Sequence, residues 1–275
     1  MVEITSLKSR LESKTSPILG LDAYGVIYND CGIFDTIPAV FDYCHQQGIP
    51  IVMMTNNATQ SIDVIYHKMA KVNLTLPKPN IISSGCGLID LPNLNAKVKN
   101  KRVFVYGYES SRQYVIDAGG VCVDDPANAE VIVMAASITG QNHFTYRNVF
   151  LALKQNPTIP VICINPDHYV RYANGFLSVM GFYAQQMAAQ LNRSDFIWMG
   201  KPSSLFSDLT RARFNSLGFD PKQLVFCDDN PFNVVRVSTD LACEGVVVTT
   251  TGVFSKYQFI QDVPDQVVQI SKCKI

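Results

Sequence analysis

The composition of this chain is that of a folded protein without a net charge. It has 275 residues, 47% of them hydrophobic, and its 23 lysines and arginines balance its 23 aspartates and glutamates. The balanced charge gives no electrostatic indication of binding to DNA, RNA or an anionic membrane, so we expect no nucleic-acid or membrane partner. A chain of this length can hold one large core or, as we expect here, two smaller ones.

The N-terminus and the cysteines predict a cytoplasmic protein. Residues 1–15 are polar and charged, unlike a signal peptide, and no apolar run approaches the ~20 residues that a membrane helix requires. The 8 cysteines stand at scattered spacings without a Cys-x-x-Cys pair. Several of them, including Cys44, Cys163 and Cys227, lie in apolar segments, as reduced thiols of a protein core do.

Apolar segments alternate along the chain in a way that predicts two α/β units. The first unit has predicted strands over 18–28, 49–55 and 79–84, and predicted helices over about 36–47 and 60–71. This alternation implies a parallel sheet with right-handed crossovers. The second unit has predicted strands over 102–107, 130–136 and 159–164, and predicted helices near 109–118, 143–155 and 179–191. We expect it to be inserted into the first.

The first predicted strand, Ile18-Leu-Gly-Leu, delivers a carboxylate, Asp22, into a glycine turn. In open α/β folds, ligand chemistry takes place at the carboxyl edge of the parallel sheet. Asp22 is therefore a candidate nucleophile. The alternative is a turn-forming aspartate with no role in chemistry.

Three later segments end in groups that phosphoryl transfer uses. The second strand runs into Thr55-Asn56-Asn57, where a hydroxyl and the following backbone amides can hold oxyanion oxygens. Lys201 precedes a predicted helix and is a compact cation suited to a phosphate or to the carboxylate that attacks it. Leu224-Val-Phe-Cys227 leads into Asp228-Asp229, which are ligands that a hard cation such as Mg²⁺ accepts.

These four segments, in this order, resemble the motifs of the haloacid dehalogenase (HAD) superfamily. Around them, Thr55–Ser61, Asn165-Pro166-Asp167 and Gly200-Lys201-Pro202 are similar to the class IIA branch, with its p-nitrophenyl phosphatase-like and pyridoxal phosphatase-like enzymes. The resemblance covers roughly residues 15–255. It implies a Rossmann-like parallel-sheet core with an α/β cap domain inserted between motifs II and III. We expect the core at 1–84 and 196–275, and the cap at 85–195.

The resemblance implies a Mg²⁺-dependent phosphomonoesterase that acts on a small phosphorylated metabolite through an aspartyl-phosphate. A homodimer is a possible assembly. The implied catalytic residues are Asp22 as nucleophile, Tyr24, Thr55 and Lys201. The implied metal ligands are Asp22, the Tyr24 carbonyl, Asp228 and Asp229. The expected substrate contacts are Asn56, Asn57, Asn165, Asp167, His168 and Arg171. For the last four the alternatives are a turn formed by Asn-Pro-Asp and solvated surface side chains.

Two departures from the family pattern leave other functions open. Tyr24 stands where the phosphatases carry an acid/base Asp, and Asp22-Ala-Tyr24 resembles the L-2-haloacid dehalogenases, whose Asp attacks carbon. In the fourth motif Cys227 replaces a Gly and Asn233 a further Asp. The alternatives are therefore a carbon-attacking hydrolase of dehalogenase type and a catalytically impaired relative that binds a phosphorylated ligand. For a phosphatase, Tyr24 predicts slow turnover and a preference for acidic leaving groups.

Overall fold

The computed structural model describes residues 6–135, 143–172, 175–252 and 264–275. In these ranges the chain forms strands β1 (Ile18–Leu21), β2 (Tyr28–Asn29), β3 (Gly32–Ile33), β4 (Ile51–Thr55), β5 (Ile81–Ser83), β6 (Arg102–Tyr106), β7 (Val121–Val123), β8 (Val131–Met134), β9 (Val161–Cys163), β10 (Tyr169–Tyr172), β11 (Gly175–Ser178), β12 (Ile197–Trp198), β13 (Leu224–Asp228), β14 (Glu244–Val248) and β15 (Val267–Ile270).

The α-helices of the described ranges are α1 (Leu7–Glu12), α2 (Ile37–Gln47), α3 (Ile62–Lys71), α4 (Gly87–Asp90), α5 (Pro92–Val98), α6 (Arg112–Asp117), α7 (His143–Gln155), α8 (Met180–Gln190), α9 (Ser204–Leu217) and α10 (Pro231–Leu241). None of the helices described is both long and apolar enough to cross a membrane.

The first sheet is parallel, with strand order β15-β14-β13-β1-β4-β5. Its central strands β1, β4 and β13 are buried along their whole length, as expected of parallel strands that are covered by helices on both faces. From β1 the chain first builds outward to β4 and β5, and later returns to add β13, β14 and β15 on the other side. The ligand crevice of such a sheet lies where the strand order reverses, beside β1.

The first strand is shorter than the sequence predicted. We expected a strand over 18–28, but β1 ends at Leu21 and the backbone amides of Ile27 and Tyr28 both donate to the carbonyl of Ala23. Val26 and Ile27 are nevertheless buried. Their apolar side chains extended the strand-like pattern, although the backbone forms a turn that leads into the antiparallel pair β2 and β3.

The second sheet is also parallel, in the order β12-β9-β8-β6-β7. Its last strand, Ile197–Trp198, lies just past residue 195, where we expected the inserted unit to end. One cluster of buried apolar side chains runs through both units and includes Ile82, Val105 and Phe226. The exact domain boundaries stay a prediction.

Two helix starts position the loops that carry Lys201 and the acidic pair. Ser203 caps α9 by accepting a hydrogen bond from the amide of Leu205 at 3.3 Å. Asn230 caps α10 in the same way through the amide of Phe232 at 3.0 Å, and Pro231 occupies the first turn. Such caps satisfy amides that have no partner within the helix, so each loop is held at a fixed distance from its helix.

Candidate active site

Three polar groups meet at the carboxyl edge of the first sheet. Asp22 directly follows β1, Thr55 is the last residue of β4, and Asp228 is the last residue of β13. These strands are neighbours in the order β13-β1-β4 and all run parallel, so their ends coincide. The amide of Asp22 donates to the carbonyl of Cys227 at 2.9 Å, which continues the pairing of β1 with β13 up to the two aspartates.

Lys201 lies at the centre of this edge. Its side chain is 1% exposed, and Nζ lies 2.7 Å from Asp22 Oδ1 and 2.6 Å from Asp228 Oδ2. A third hydrogen bond of 2.6 Å goes to the carbonyl of Met54. An ammonium group has three donors, and here all three are used. Lys201 therefore holds the two carboxylates close together, where they would otherwise repel each other.

Burial and charge shift the pKa values of this group in opposite directions. Burial raises the pKa of Asp22 to about 7; Lys201 opposes this rise, and the charge of Asp228 adds to it. Burial also acts to lower the pKa of Lys201, but the carboxylates of Asp22 and Asp228 outweigh it, so its pKa is raised and the side chain stays charged. Asp22 is thus a carboxylate whose ionisation depends on the neighbouring cation.

Asp22, Asp228 and Asp229 offer carboxylate oxygens that all lie within 4.8 Å of one another. Asp228 accepts from the amide of Asn230 at 2.8 Å and, with both oxygens, from Asn233 Nδ2 at 3.2 and 3.3 Å. The side-chain oxygen of Asn233 is buried without a hydrogen-bond partner among the described residues. Carboxylate and amide oxygens are the ligands that Mg²⁺ prefers, so this donor set fits the ion.

Asp229 is enclosed by two glycines. A Cβ placed on Gly25 would lie 2.7 Å from Asp229 Cγ, and one on Gly252 would lie 1.7 Å from Asp229 Oδ2. Both glycines have positive φ, which larger residues rarely adopt. The side chain of Thr251 donates to the carbonyl of Gly25, which links the two loops. The position of this third carboxylate therefore depends on glycine at both sites.

The segment after β4 connects the two units. Thr55 Oγ1 accepts from the amide of Asn57 at 3.1 Å, which orders the loop that follows the strand. Asn56 makes a two-way contact with Lys201: its Oδ1 accepts from the Lys201 amide at 2.7 Å, and its Nδ2 donates to the Lys201 carbonyl at 2.8 Å. The same Nδ2 donates to Asp167 Oδ1 at 2.9 Å. Asn56 thus ties the core to the loop of the insert.

The structure places five of the six predicted substrate contacts around one cavity. Its volume is about 810 Å³, and its wall includes Asn56, Asn57, Asn165, Asp167 and His168 together with Asp22, Tyr24, Thr55, Lys201, Asp228 and Asp229. The sixth, Arg171, is not part of this wall; its guanidinium donates to the carbonyl of Gly252 at 3.1 Å. The roles of these residues stay predictions.

Sequence reasoning missed the aromatic part of the wall. Tyr169, Tyr172, Phe176 and Phe232 also line the cavity, the first three from β10 and β11 and the last from the first turn of α10. In the sequence they stand in short segments without a periodic pattern, so nothing assigned them to one surface. The one sequence feature that could have indicated these aromatic residues is that they follow Asn165-Pro166-Asp167 and Asp228-Asp229 closely along the chain.

Comparison with known proteins agrees with this fold. Residues 19–120 match the family model described as haloacid dehalogenase-like hydrolase. The p-nitrophenyl phosphatase from Archaeoglobus fulgidus is 21% identical and superposes with a TM-score of 0.75 over 93% of this chain and 96% of that chain. A possible sugar phosphatase of the HAD superfamily from Cytophaga hutchinsonii is 24% identical, with a TM-score of 0.77 over 91% and 89% of the two chains.

Over residues 19–120 the chain is thus similar to haloacid dehalogenase-like hydrolases, and its fold is that of these solved phosphatase structures. Its second parallel sheet, formed by residues between Thr55 and Lys201, is the inserted α/β cap that the sequence predicted. Among curated relatives, an acid sugar phosphatase from Staphylococcus haemolyticus is 20% identical over 190 residues, which are 69% of this chain and 69% of that protein. In this chain Asp22, Thr55, Lys201 and Asp228 lie together at one edge of the core sheet, and their assignment to the four motifs stays a prediction.

Proposed function

We propose that this protein is a HAD hydrolase and acts as a Mg²⁺-dependent phosphomonoesterase on a small phosphorylated metabolite. The observation that carries the proposal is the contact of Lys201 with both Asp22 and Asp228, at 2.7 and 2.6 Å. It brings a nucleophilic carboxylate, a cation and an acidic metal site to one point of a cavity. A homodimer and a cytoplasmic location stay predictions.

In the first step, a carboxylate oxygen of Asp22 attacks phosphorus, and the bond from phosphorus to the leaving oxygen breaks. Thr55 and the backbone amides after it bind the oxygens of the transferred group, and Lys201 offsets its negative charge. Asp22, Asp228 and Asp229, with the carbonyl of Tyr24, would hold Mg²⁺. When bound, the ion supplies further charge neutralisation. The product is an aspartyl-phosphate at Asp22, which water then cleaves.

Tyr24 is poorly suited to move protons in these steps. Burial, together with the charge of Asp30, raises the pKa of Tyr24 to about 12. Its hydroxyl donates to the carbonyl of Arg171 in the insert. A group with such a pKa is a weak base at neutral pH, and its proton is already committed to a hydrogen bond.

We propose Asp167 as the group that moves the proton. It lines the cavity, is oriented by Asn56, and is the one carboxyl in the described wall outside the set Asp22, Asp228 and Asp229. Burial raises the pKa of Asp167 to about 6, against the effect of its hydrogen bond from Asn56. Protonated Asp167 would give its proton to the leaving oxygen, and ionised Asp167 would take one from the attacking water.

This assignment supports the expectation of slow turnover on alkyl phosphates. With a pKa of about 6, Asp167 is mostly ionised at neutral pH, so few molecules hold the proton that a poor leaving group needs. Aryl phosphates leave as weak bases and need that proton less. The rate on alkyl phosphates should therefore be low near pH 7 and should rise relative to the rate on aryl phosphates as the pH falls.

The structure favours phosphorus over carbon as the atom attacked. Between Asp22 and Thr55 the chain forms β2, β3 and α2 with no inserted domain. Asp22 is also part of an acidic triad, whereas displacement at carbon needs a free carboxylate and no metal. A screen of phosphorylated metabolites and 2-haloacids, each with Mg²⁺ and with EDTA, tests the proposal. Phosphate release that depends on Mg²⁺ is expected; halide release or complete inactivity with ligand binding would overturn it.

A further inference from the structure

The two strands β10 and β11 of the insert are tied to the core at two points. The hydroxyl of Tyr24 donates to the carbonyl of Arg171 on β10, and it also lies 3.5 Å from Asp30 Oδ1. From the same residue, Arg171 Nη1 donates to the carbonyl of Gly252 at 3.1 Å. The backbone and the side chain of Arg171 thus contact two different loops of the core, both next to Asp229.

Fixing Arg171 also fixes the side chains opposite and beside it. In the antiparallel register, Arg171 pairs with Phe176 and Tyr172 pairs with Gly175. Tyr172 and Phe176 line the cavity, as does Tyr169 on the same strand as Arg171. Phe232, on the core side, lines the cavity as well. The contacts of Arg171 therefore determine how far Tyr169, Tyr172 and Phe176 stand from Phe232 and from the reacting edge of the sheet.

These four side chains, Tyr169, Tyr172, Phe176 and Phe232, form what we call the aromatic wall. They are 47%, 39%, 57% and 55% exposed. Large aromatic side chains that stay exposed together in a concave surface mark a binding site, because water is displaced from them when an apolar group binds. At the other end of the same cavity lie Asp22 and Lys201, so a molecule whose phosphate reaches the carboxylates places its remainder against the wall.

The described part of the aromatic wall has no positively charged side chain that could pair with a second anionic group of a substrate. Among the described residues that line the cavity, Lys201 is the only lysine or arginine, and it is committed to Asp22 and Asp228. Burial lowers the pKa of His168, which favours its neutral form. A substrate with a second phosphate or carboxylate near the wall would lose water without gaining an ion pair.

We propose that Tyr24 is a positioning residue that holds β10 and β11 through Arg171, so that the aromatic wall binds an uncharged, apolar leaving group of the phosphomonoester. The assignment of the leaving group rests on the proposed phosphatase function. It gives the tyrosine at this position a role in substrate selection, separate from proton transfer.

The test compares an apolar with a small leaving group. The substrates are benzyl phosphate and acetyl phosphate, and the non-hydrolysed ligands are benzylphosphonate and methylphosphonate. The variants are Phe176→Ala, which removes part of the wall, and Tyr24→Phe, which removes only the hydroxyl. Phe144→Ala and Tyr146→Phe make the same chemical changes on α7 of the insert, away from the cavity, and serve as matched controls.

For Phe176→Ala we expect the ratio of kcat/KM for benzyl phosphate to that for acetyl phosphate to fall about tenfold, the scale of a lost apolar contact in a pocket. Most of this fall should come from a higher KM for benzyl phosphate. Tyr24→Phe should lower the same ratio and should also speed amide hydrogen exchange in β10 and β11. Both control variants should keep the wild-type ratio and the wild-type exchange rates.

If Phe176→Ala leaves the ratio of the two kcat/KM values unchanged, the aromatic wall does not bind the leaving group. If Tyr24→Phe changes neither this ratio nor the amide hydrogen exchange of β10 and β11, Tyr24 does not position these strands. If neither benzyl phosphate nor acetyl phosphate is hydrolysed, the proposed function fails, and the phosphonates then decide this inference alone. Wild-type protein should bind benzylphosphonate more tightly than methylphosphonate, and Phe176→Ala should reduce that preference. Equal binding of the two phosphonates would reject the inference whether or not the protein is a phosphatase.

Discussion

The ammonium group of Lys201 lies 2.7 Å from a carboxylate oxygen of Asp22, although the two residues are 179 positions apart in the chain. The whole insert is built between them. The contact links the loop that follows the insert to the end of β1, so the nucleophile and its counter-charge come together only when segments on both sides of the insert fold against each other.

Asp22→Asn should abolish turnover, because every step of the proposed mechanism begins with attack by this carboxylate. Removal of a nucleophile lowers kcat by about 10⁴-fold or more. Phosphate release with Mg²⁺ measures the loss, and the circular dichroism spectrum should match that of the wild type. Activity above a few per cent, in protein shown free of contaminating phosphatase, would mean that Asp22 is not the nucleophile.

Lys201→Met should destabilise the protein even in the absence of any ligand. The change keeps the side-chain volume but leaves Asp22 and Asp228 buried without their cation, which costs about 3–5 kcal/mol. The pKa of Asp22, already raised by burial, would then rise further above its unfolded value, so the folded state binds more protons and the loss of stability should grow as the pH rises. Urea unfolding in EDTA at pH 5 and pH 8 measures this; an equal loss at both values would contradict it.

Asp228→Ala should weaken Mg²⁺ binding much more than Asn233→Ala does, because Asp228 supplies a charged oxygen and Asn233 a neutral one. Calorimetric titration with Mg²⁺ measures the affinity without relying on turnover. EDTA should also abolish the activity of the wild-type enzyme. If Asp229→Ala weakens Mg²⁺ binding more than Asp228→Ala does, Asp229 is the main ligand in place of Asp228.

The pH dependence of the reaction rates should show whether Asp167 transfers the proton. The proton on Asp167 is lost as the pH rises through about 6, so the rate on an alkyl phosphate should fall relative to an aryl phosphate above that pH. Taking the ratio of the two rates cancels the ionisation of Asp22, which both substrates share. In Asp167→Asn the ratio should no longer depend on pH, whereas His168→Gln should keep the dependence. A pH-dependent ratio in Asp167→Asn would move the role to another group.

Tyr24→Asp should speed the hydrolysis of alkyl phosphates most. A carboxyl two residues after the nucleophile would supply general acid/base catalysis, worth roughly 10²- to 10⁴-fold. Tyr24→Phe is the matched control, because it loses the hydroxyl but gains no carboxyl. If Tyr24→Asp folds, binds Mg²⁺ and is no faster than Tyr24→Phe on any phosphomonoester, proton transfer does not limit this reaction.

The sequence by itself determined which polar side chains stand at the strand ends. Apolar strands that end at Asp22, Thr55 and Asp228 can be read from local pattern, because parallel strands place their carboxyl ends at one edge whatever the details of packing. The large interval between Thr55 and Lys201 likewise predicted the insert. The same local pattern failed over 18–28, where buried Val26 and Ile27 belong to a turn, because burial of side chains does not by itself distinguish a strand from a turn.

Only the tertiary structure decided how the two units meet. Asn56 and Asp167 are 111 positions apart, and the hydroxyl of Tyr24 reaches a carbonyl 147 positions away. Such contacts depend on where the insert places β10 relative to the core, and no local periodicity encodes that distance. The aromatic wall follows from the same placement: its four side chains come from three elements, and they form one surface only because Arg171 is held against the core.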